Sequence, residues 1–249
     1  YNGSKRYGTP IEKILENFQN KSDKITADYK FKKVLNETFS PESYLLLKKD
    51  LEVLPLVIKD NVAYFYGGDL PYNDYNFLPN DRELLNKAIN ILNAEKISFC
   101  LPSILNDSID LLSKENKIYD MPYNQNWVYK NVHQYDKSNL INSISSKRRR
   151  DKIKRLSKRI KNYKVSTISK SEYEEKYIDI LLNLVIDSFN TRGKENSWEI
   201  YPALYKDINK YFIENFKIIS KVFYKDSRIT GSYTLVISEK ECFLPFINK

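Results

Sequence analysis

Eleven lysines and arginines fall between Lys147 and Lys164, against one acid, Asp151. Cations at that density neutralise phosphate groups, so the first chemistry the sequence offers is polyanion binding. Arg148, Arg149, Lys152 and Arg155 are the candidate anion-binding residues. The whole chain carries a formal charge of +9, so the remainder is close to neutral and the charge is concentrated in one stretch. That stretch is also patterned. Ile153, Leu156, Ile160 and Tyr163 recur at spacings of three and four, which places them on one helical face. The spacing predicts a helix docked through a buried Ile153, Leu156 and Ile160, with Arg149, Lys152 and Arg159 turned outward. Two readings of the cations stay open, a solvated basic face and a non-enzymatic RNA-binding module using 147–164.

A second group of residues could hold a substrate. Residues 67–81, GGDLPYNDYNFLPND, contain the chain's only Gly-Gly and set Asp74 between Tyr72 and Tyr75. A carboxylate beside aromatic rings can orient an amine or hydroxyl through a charge-assisted hydrogen bond. The same loop also reads as ordinary surface, with Asp74 capping a turn. Arg192, Trp198 and Tyr201 lie in or just after the polar stretch NTRGKENSW, where they could line an acceptor site or merely connect two helices.

Other chemistries are excluded by what is scarce. The single histidine, His133, supports neither a Ser-His-Asp constellation nor a multi-histidine metal site, so no metal is expected. Six glycines are too few for a glycine-rich phosphate cradle. Cys100 and Cys242 stand in the apolar contexts ISFCLP and ECFLPF and are expected as buried, reduced thiols. No apolar run reaches the length of a membrane span, and the start lacks an apolar signal core, so a cytoplasmic protein is expected. Twenty tyrosines and twelve phenylalanines supply bulky core material.

The elements that must position these residues follow from pattern. Ile11 to Phe18 reads as a short helix and Thr26 to Leu35 as irregular or weakly strand-like. Ser40-Pro41-Glu42 reads as the start of a helix capped by Ser40. Runs 53–58 and 62–67 form a hairpin around Lys59-Asp60-Asn61, with Pro55 demoting the first run to an edge or bulged strand. A helix over Arg82–Ala94, a buried strand KISFCLP, a helix over Ser103–Glu115 and a strand NKIYDMPY follow. Beyond the basic helix come a strand at 163–169, a helix over Ser171–Phe189 and a helix from Pro202. Three closing strands turn at Asp226-Ser227 and Glu239-Lys240. Pro245 inside the last run predicts a bulge or an edge there.

The segment SISSKRRRDKIKRLSKRIKN followed by YKVSTIS resembles the opening signature of the FemAB-like branch of the GNAT acyltransferases. The preceding MPYNQNWVYKNVHQYD and the flanking element order carry the likeness over most of the chain. The resemblance implies an α/β (α+β) fold of tandem GNAT-like mixed sheets flanked by helices. Its units would be 1–122 and 123–249, the second incomplete at its C-terminus and continuing past Lys249 into a loop that grips a pyrophosphate. It implies transfer of an acyl or aminoacyl group to an amine on a small molecule or peptide, from acyl-CoA or a charged tRNA. It matches Asp74 and Tyr75 to a family element, and the two are expected to face the cleft between the units; it places the acyl carbonyl at a splay beside the last strand.

Overall fold

The computed structural model describes Leu15 and residues 25–50, 52–73, 79, 81–100, 141–142, 144–239 and 242–248. It is an α/β protein built on two four-stranded sheets flanked by helices.

Asp28 starts the first helix. Its Oδ1 accepts from the N–H groups of Lys30 at 2.8 Å and Phe31 at 3.2 Å, satisfying donors that a helix start leaves bare. Helix α1, Tyr29–Phe39, then buries Phe31, Lys32, Leu35, Asn36 and Phe39 on one side. This corrects the irregular or strand-like expectation for 26–35, because the Asp28 cap and the four-residue spacing of Phe31, Leu35 and Phe39 outweigh local β propensity. Ser40 is also corrected. It ends α1 in a left-handed conformation, φ 49°, with its N–H on the Asn36 carbonyl at 3.0 Å, and starts no helix.

The first sheet runs β1 (Ser43–Lys49), β2 (Glu52–Lys59), β3 (Val62–Phe65) and β4 (Ser98–Phe99) in that spatial order. Asp60 and Asn61, at φ 52° and 57°, make the tight turn expected between β2 and β3. Both faces of the sheet are covered. Tyr44, Leu46, Val53, Val57, Tyr64 and Tyr66 point towards α1, whereas Leu45, Leu47, Leu54, Leu56, Ala63 and Phe65 point towards α2 (Arg82–Ala94). Alternation of side chains along a strand gives this division directly. Pro55 does not mark an edge: β2 is an inner strand with β1 on its other flank. Its carbonyl accepts from Tyr66 N–H at 3.1 Å, so its missing N–H falls where β3 has ended and costs no ladder bond. Strand β4 is parallel to β3 and short, and Cys100 just after it is exposed, as is Cys242. Neither cysteine is the buried thiol expected, since each sits at the end of a strand and not in its covered middle.

The second sheet is an antiparallel series, β5 (Lys164–Ile168), β6 (Lys217–Lys225), β7 (Arg228–Ile237) and β8 (Cys242–Asn248). Between β5 and β6 the chain crosses one face as helices. A capping box of Ser169 and Glu172 opens them, and the Ser169 hydrogen bonds hold the Glu172 carboxyl below its usual range. A π-helical turn, Tyr173–Tyr177, leads into α4 (Ile178–Asn190). After it come α5 (Ser197–Ile200) and α6 (Pro202–Asn215), the latter burying Leu204, Ile208, Tyr211 and Phe212. The expected order of strand, two long helices and a three-stranded meander is therefore present.

One core joins the two sheets. Phe31 of α1 lies 5.6 Å from Phe212 and 5.5 Å from Tyr211, ring centre to ring centre, while Leu35, Val53 and Val57 continue the same apolar cluster. The Tyr211 hydroxyl donates to Asp28 Oδ1 at 2.8 Å, tying α6 to the cap of α1; burial raises the Tyr211 pKa well above that of a free phenol. Helix α1 is thus the shared wall between residues 43–99 and residues 164–248.

The expected helices and strands at 11–18 and 103–122 lie outside the described residues, apart from helical Leu15. No described helix is long and apolar enough to cross a membrane.

Candidate functional site

The Gly-Gly loop is held by α1. Gly67 and Gly68 take φ values of 101° and 71°, a region that suits glycine. Phe39 leaves no room for a side chain at Gly68, where a Cβ would stand 2.3 Å from the ring. Lys32, 1% exposed, reaches out of α1 and donates to Asn73 Oδ1. Asn73, 3% exposed, donates from its amide to the Gly68 carbonyl. A lysine with this little solvent must have its ammonium hydrogen-bonded, and the loop supplies the acceptor. Leu70, also buried, fixes the outer part of the loop against the core.

Held this way, the loop delivers Tyr72 to the last strand. The register of β7 and β8 slips between Thr234 and Val236: Thr234 pairs with Phe246 and Val236 with Phe243. Leu244 and Pro245 therefore face Leu235 alone, which is a bulge in β8. Pro245 has no N–H to place in the ladder, which is the physical reason the bulge sits there. The Tyr72 hydroxyl donates to the Pro245 carbonyl. Its ring lies 5.7 Å from that of Trp198 and 5.8 Å from that of Phe243.

Trp198 is placed by its own local cap. Asn196 Oδ1 accepts from Trp198 N–H at 3.0 Å and starts α5. The indole, 9% exposed, then packs edge-on against Tyr205 of α6 at 5.3 Å. The cluster of Tyr72, Trp198, Phe243 and Pro245 thus draws on the first-half loop, the α4–α6 connection and the bulged strand.

Of the substrate-binding candidates read from the sequence, Tyr72 and Trp198 come together here. Arg192 does not join them. Its Nε donates to the Ser188 carbonyl at 2.7 Å, and its guanidinium lies 4.7 Å from the Phe189 ring, folded back on α4. Asp74 and Tyr75 lie outside the described residues. Sequence reasoning missed Lys32, Asn73 and Phe243. Only the Asp28 cap, by placing Lys32 on the inner face of a helix, could have found the first.

Under the second sheet lies a buried polar chain. Thr234 Oγ1 donates to the Tyr173 hydroxyl at 3.2 Å, and that hydroxyl donates to Asn209 Oδ1 at 2.5 Å. Asn209 donates on to the Tyr205 carbonyl at 2.7 Å, and Ser220 Oγ lies 3.1 Å from Thr234 Oγ1. Since the Thr234 proton is committed to Tyr173, Ser220 must donate to Thr234, and the chain runs in one direction. Burial pushes the Tyr173 phenol up to about 12. The chain stiffens the helix layer on which Trp198 rests.

The basic segment forms α3, Lys147–Ile160. Arg148, Arg149, Lys152 and Arg155 are exposed on it. Leu156 is 44% exposed, which corrects the expectation that it is buried. The half-buried positions are Arg150, Ile153 and Ser157, a line rotated away from the apolar stripe. Arg150 fixes that line by donating to the carbonyls of Ile144 and Ser145. Ile160 lies where side chains are outside the described set.

No family model and no curated protein matches the sequence. Solved structures similar to this chain include a conserved protein of unknown function from Bacteroides thetaiotaomicron, at 13% identity and a TM-score of 0.47, covering 93% of this chain and 74% of that one. Another is the C-terminal domain of a protein named as a lysylphosphatidylglycerol synthetase, from Agrobacterium fabrum, at 8% identity and a TM-score of 0.46. That match covers 96% of this chain and 68% of the other.

Proposed function

We propose that the chain is a GNAT-type, FemAB-like transferase moving an acyl or aminoacyl group to an amine. The observation that carries this reading is the bulge of β8 at Leu244–Pro245, with Tyr72 on its carbonyl and Trp198 beside it. The FemAB-like signature and the strand, helix, helix, meander order add to it.

The donor, acyl-CoA or a charged tRNA, brings an activated acyl carbon. The residues here fit the acyl end of such a donor. Strand β8 is the end strand of its sheet, so its outer backbone groups have no strand partner among the described residues and can pair with an extended, amide-bearing arm. Tyr72, Trp198 and Phe243 supply an apolar wall that keeps water from the ester or thioester. Asp74 and Tyr75, close behind Tyr72 in the sequence, would hold the acceptor amine. In the transfer the amine nitrogen bonds the acyl carbon, the carbon–sulfur or carbon–oxygen bond breaks, and the leaving sulfur or oxygen takes the electron pair. The amine's proton passes to water. Holding amine and acyl carbon within reach is then the larger part of the catalysis.

The test is to incubate the chain with acetyl-CoA, and separately with aminoacylated tRNA, in the presence of a panel of primary amines. Acylated amine is then read by mass spectrometry, since exposed Cys100 and Cys242 would consume a thiol reagent. The reading expects product with one donor and a loss of about tenfold or more, roughly 1.4 kcal/mol, in Tyr72→Phe. Absence of product from both donors across the panel overturns it.

A further inference from the structure

Helix α3 concentrates the chain's positive charge on one exposed surface. Arg148, Lys152, Lys154, Arg155 and Lys158 are exposed and make no hydrogen bond or ion pair through their side chains among the described residues. The half-buried line of the helix is Arg150, Ile153 and Ser157. Beside it, at the spacing of successive helical turns, runs a second line of Arg149, Lys152 and Leu156, all exposed. The outward side therefore combines cations with a leucine that is 44% exposed.

This combination selects among anionic partners. A polynucleotide offers phosphates to the cations but nothing to Leu156, and α3 has no aromatic side chain on which a base could stack. A bilayer rich in anionic lipid offers both, with headgroup phosphates for Lys and Arg and the outer acyl region for the leucine between them. We infer that α3 docks the protein on an anionic membrane surface. It would lie in the plane of the interface with the Arg149–Lys152–Leu156 line towards the lipid. This contact is peripheral and independent of the chemistry at β8.

The experiment is flotation of the full chain with vesicles of phosphatidylcholine alone, or of phosphatidylcholine containing about 30% phosphatidylglycerol, at physiological salt. Co-flotation with the anionic vesicles only is expected. Lys152→Glu with Arg155→Glu should lower the bound fraction about tenfold or more. Leu156→Ser, a change at an exposed position that leaves the fold intact by circular dichroism, should lower it about threefold. Failure to float with anionic vesicles, or equal flotation with both kinds, overturns the inference. So does a Leu156→Ser protein that floats like the original. Displacement from the vesicles by an equal charge of oligouridine RNA assigns the surface to polynucleotide and overturns it as well.

Discussion

Tyr173 is where a single atom decides most. Its hydroxyl both receives from Thr234 and gives to Asn209, deep under the second sheet. Tyr173→Phe keeps the ring and strands both partners, so it should destabilise by about 1–3 kcal/mol, read as a lower urea midpoint with an unchanged slope. The same residue contributes to an alkaline limit, alongside the other tyrosines that burial raises. Folded, the phenol keeps its proton up to about 12; unfolded, it ionises near 10. Across that window the unfolded state has lost a proton that the folded state retains. Stability should therefore be complete below about pH 10 and fall as pH rises towards 12, and Tyr173→Phe should flatten this fall. The sequence pattern placed Tyr173 within the helix expected over Ser171–Phe189. It could not mark the hydroxyl chain, because Ser220, Thr234 and Asn209 come from separate elements and meet only through the tertiary fold.

At the scale of elements, the Gly-Gly loop and α3 show how local pattern and packing part company. Gly68→Ala meets two obstacles, a positive φ and the Phe39 ring at 2.3 Å. Gly193→Ala meets only the first, since nothing lies within 4 Å of its Cβ position. The first should cost about 3 kcal/mol or more and the second about 1, measured side by side in denaturant. In α3 the stripe spacing was legible, yet its orientation was not. Periodicity fixes which residues share a face, whereas Arg150 on the Ile144 and Ser145 carbonyls fixes which face turns inward. Leu156→Ala should accordingly change stability by under about 1 kcal/mol, well below the 2–5 of a buried leucine. Helix α1 was missed for the converse reason. Its cap and stripe were both present, but a buried lysine on the inner face disguised the pattern.

At the scale of the molecule, the strand-and-helix order of 164–248 and the hairpin of 52–65 could be read directly, because turn residues and alternation are local signals. The shared core could not, since it depends on α1 reaching 183 residues along the chain to α6. Phe31→Ala should cost about 3–5 kcal/mol and lower the melting of both sheets together, followed by hydrogen exchange in β2 and in β6. The same sharing brings Tyr72 to Pro245 and Trp198, the meeting on which the proposed transfer depends. Its most direct measurement is the fluorescence of Trp198 in a Trp127→Phe background, where Trp198 is the sole remaining tryptophan. Titration with acetyl-CoA, and separately with aminoacylated tRNA, should give a saturable change with one donor that Tyr72→Ala weakens about tenfold or more. An indole signal that neither donor alters, in a chain that still folds, would contradict a donor site at the β8 bulge.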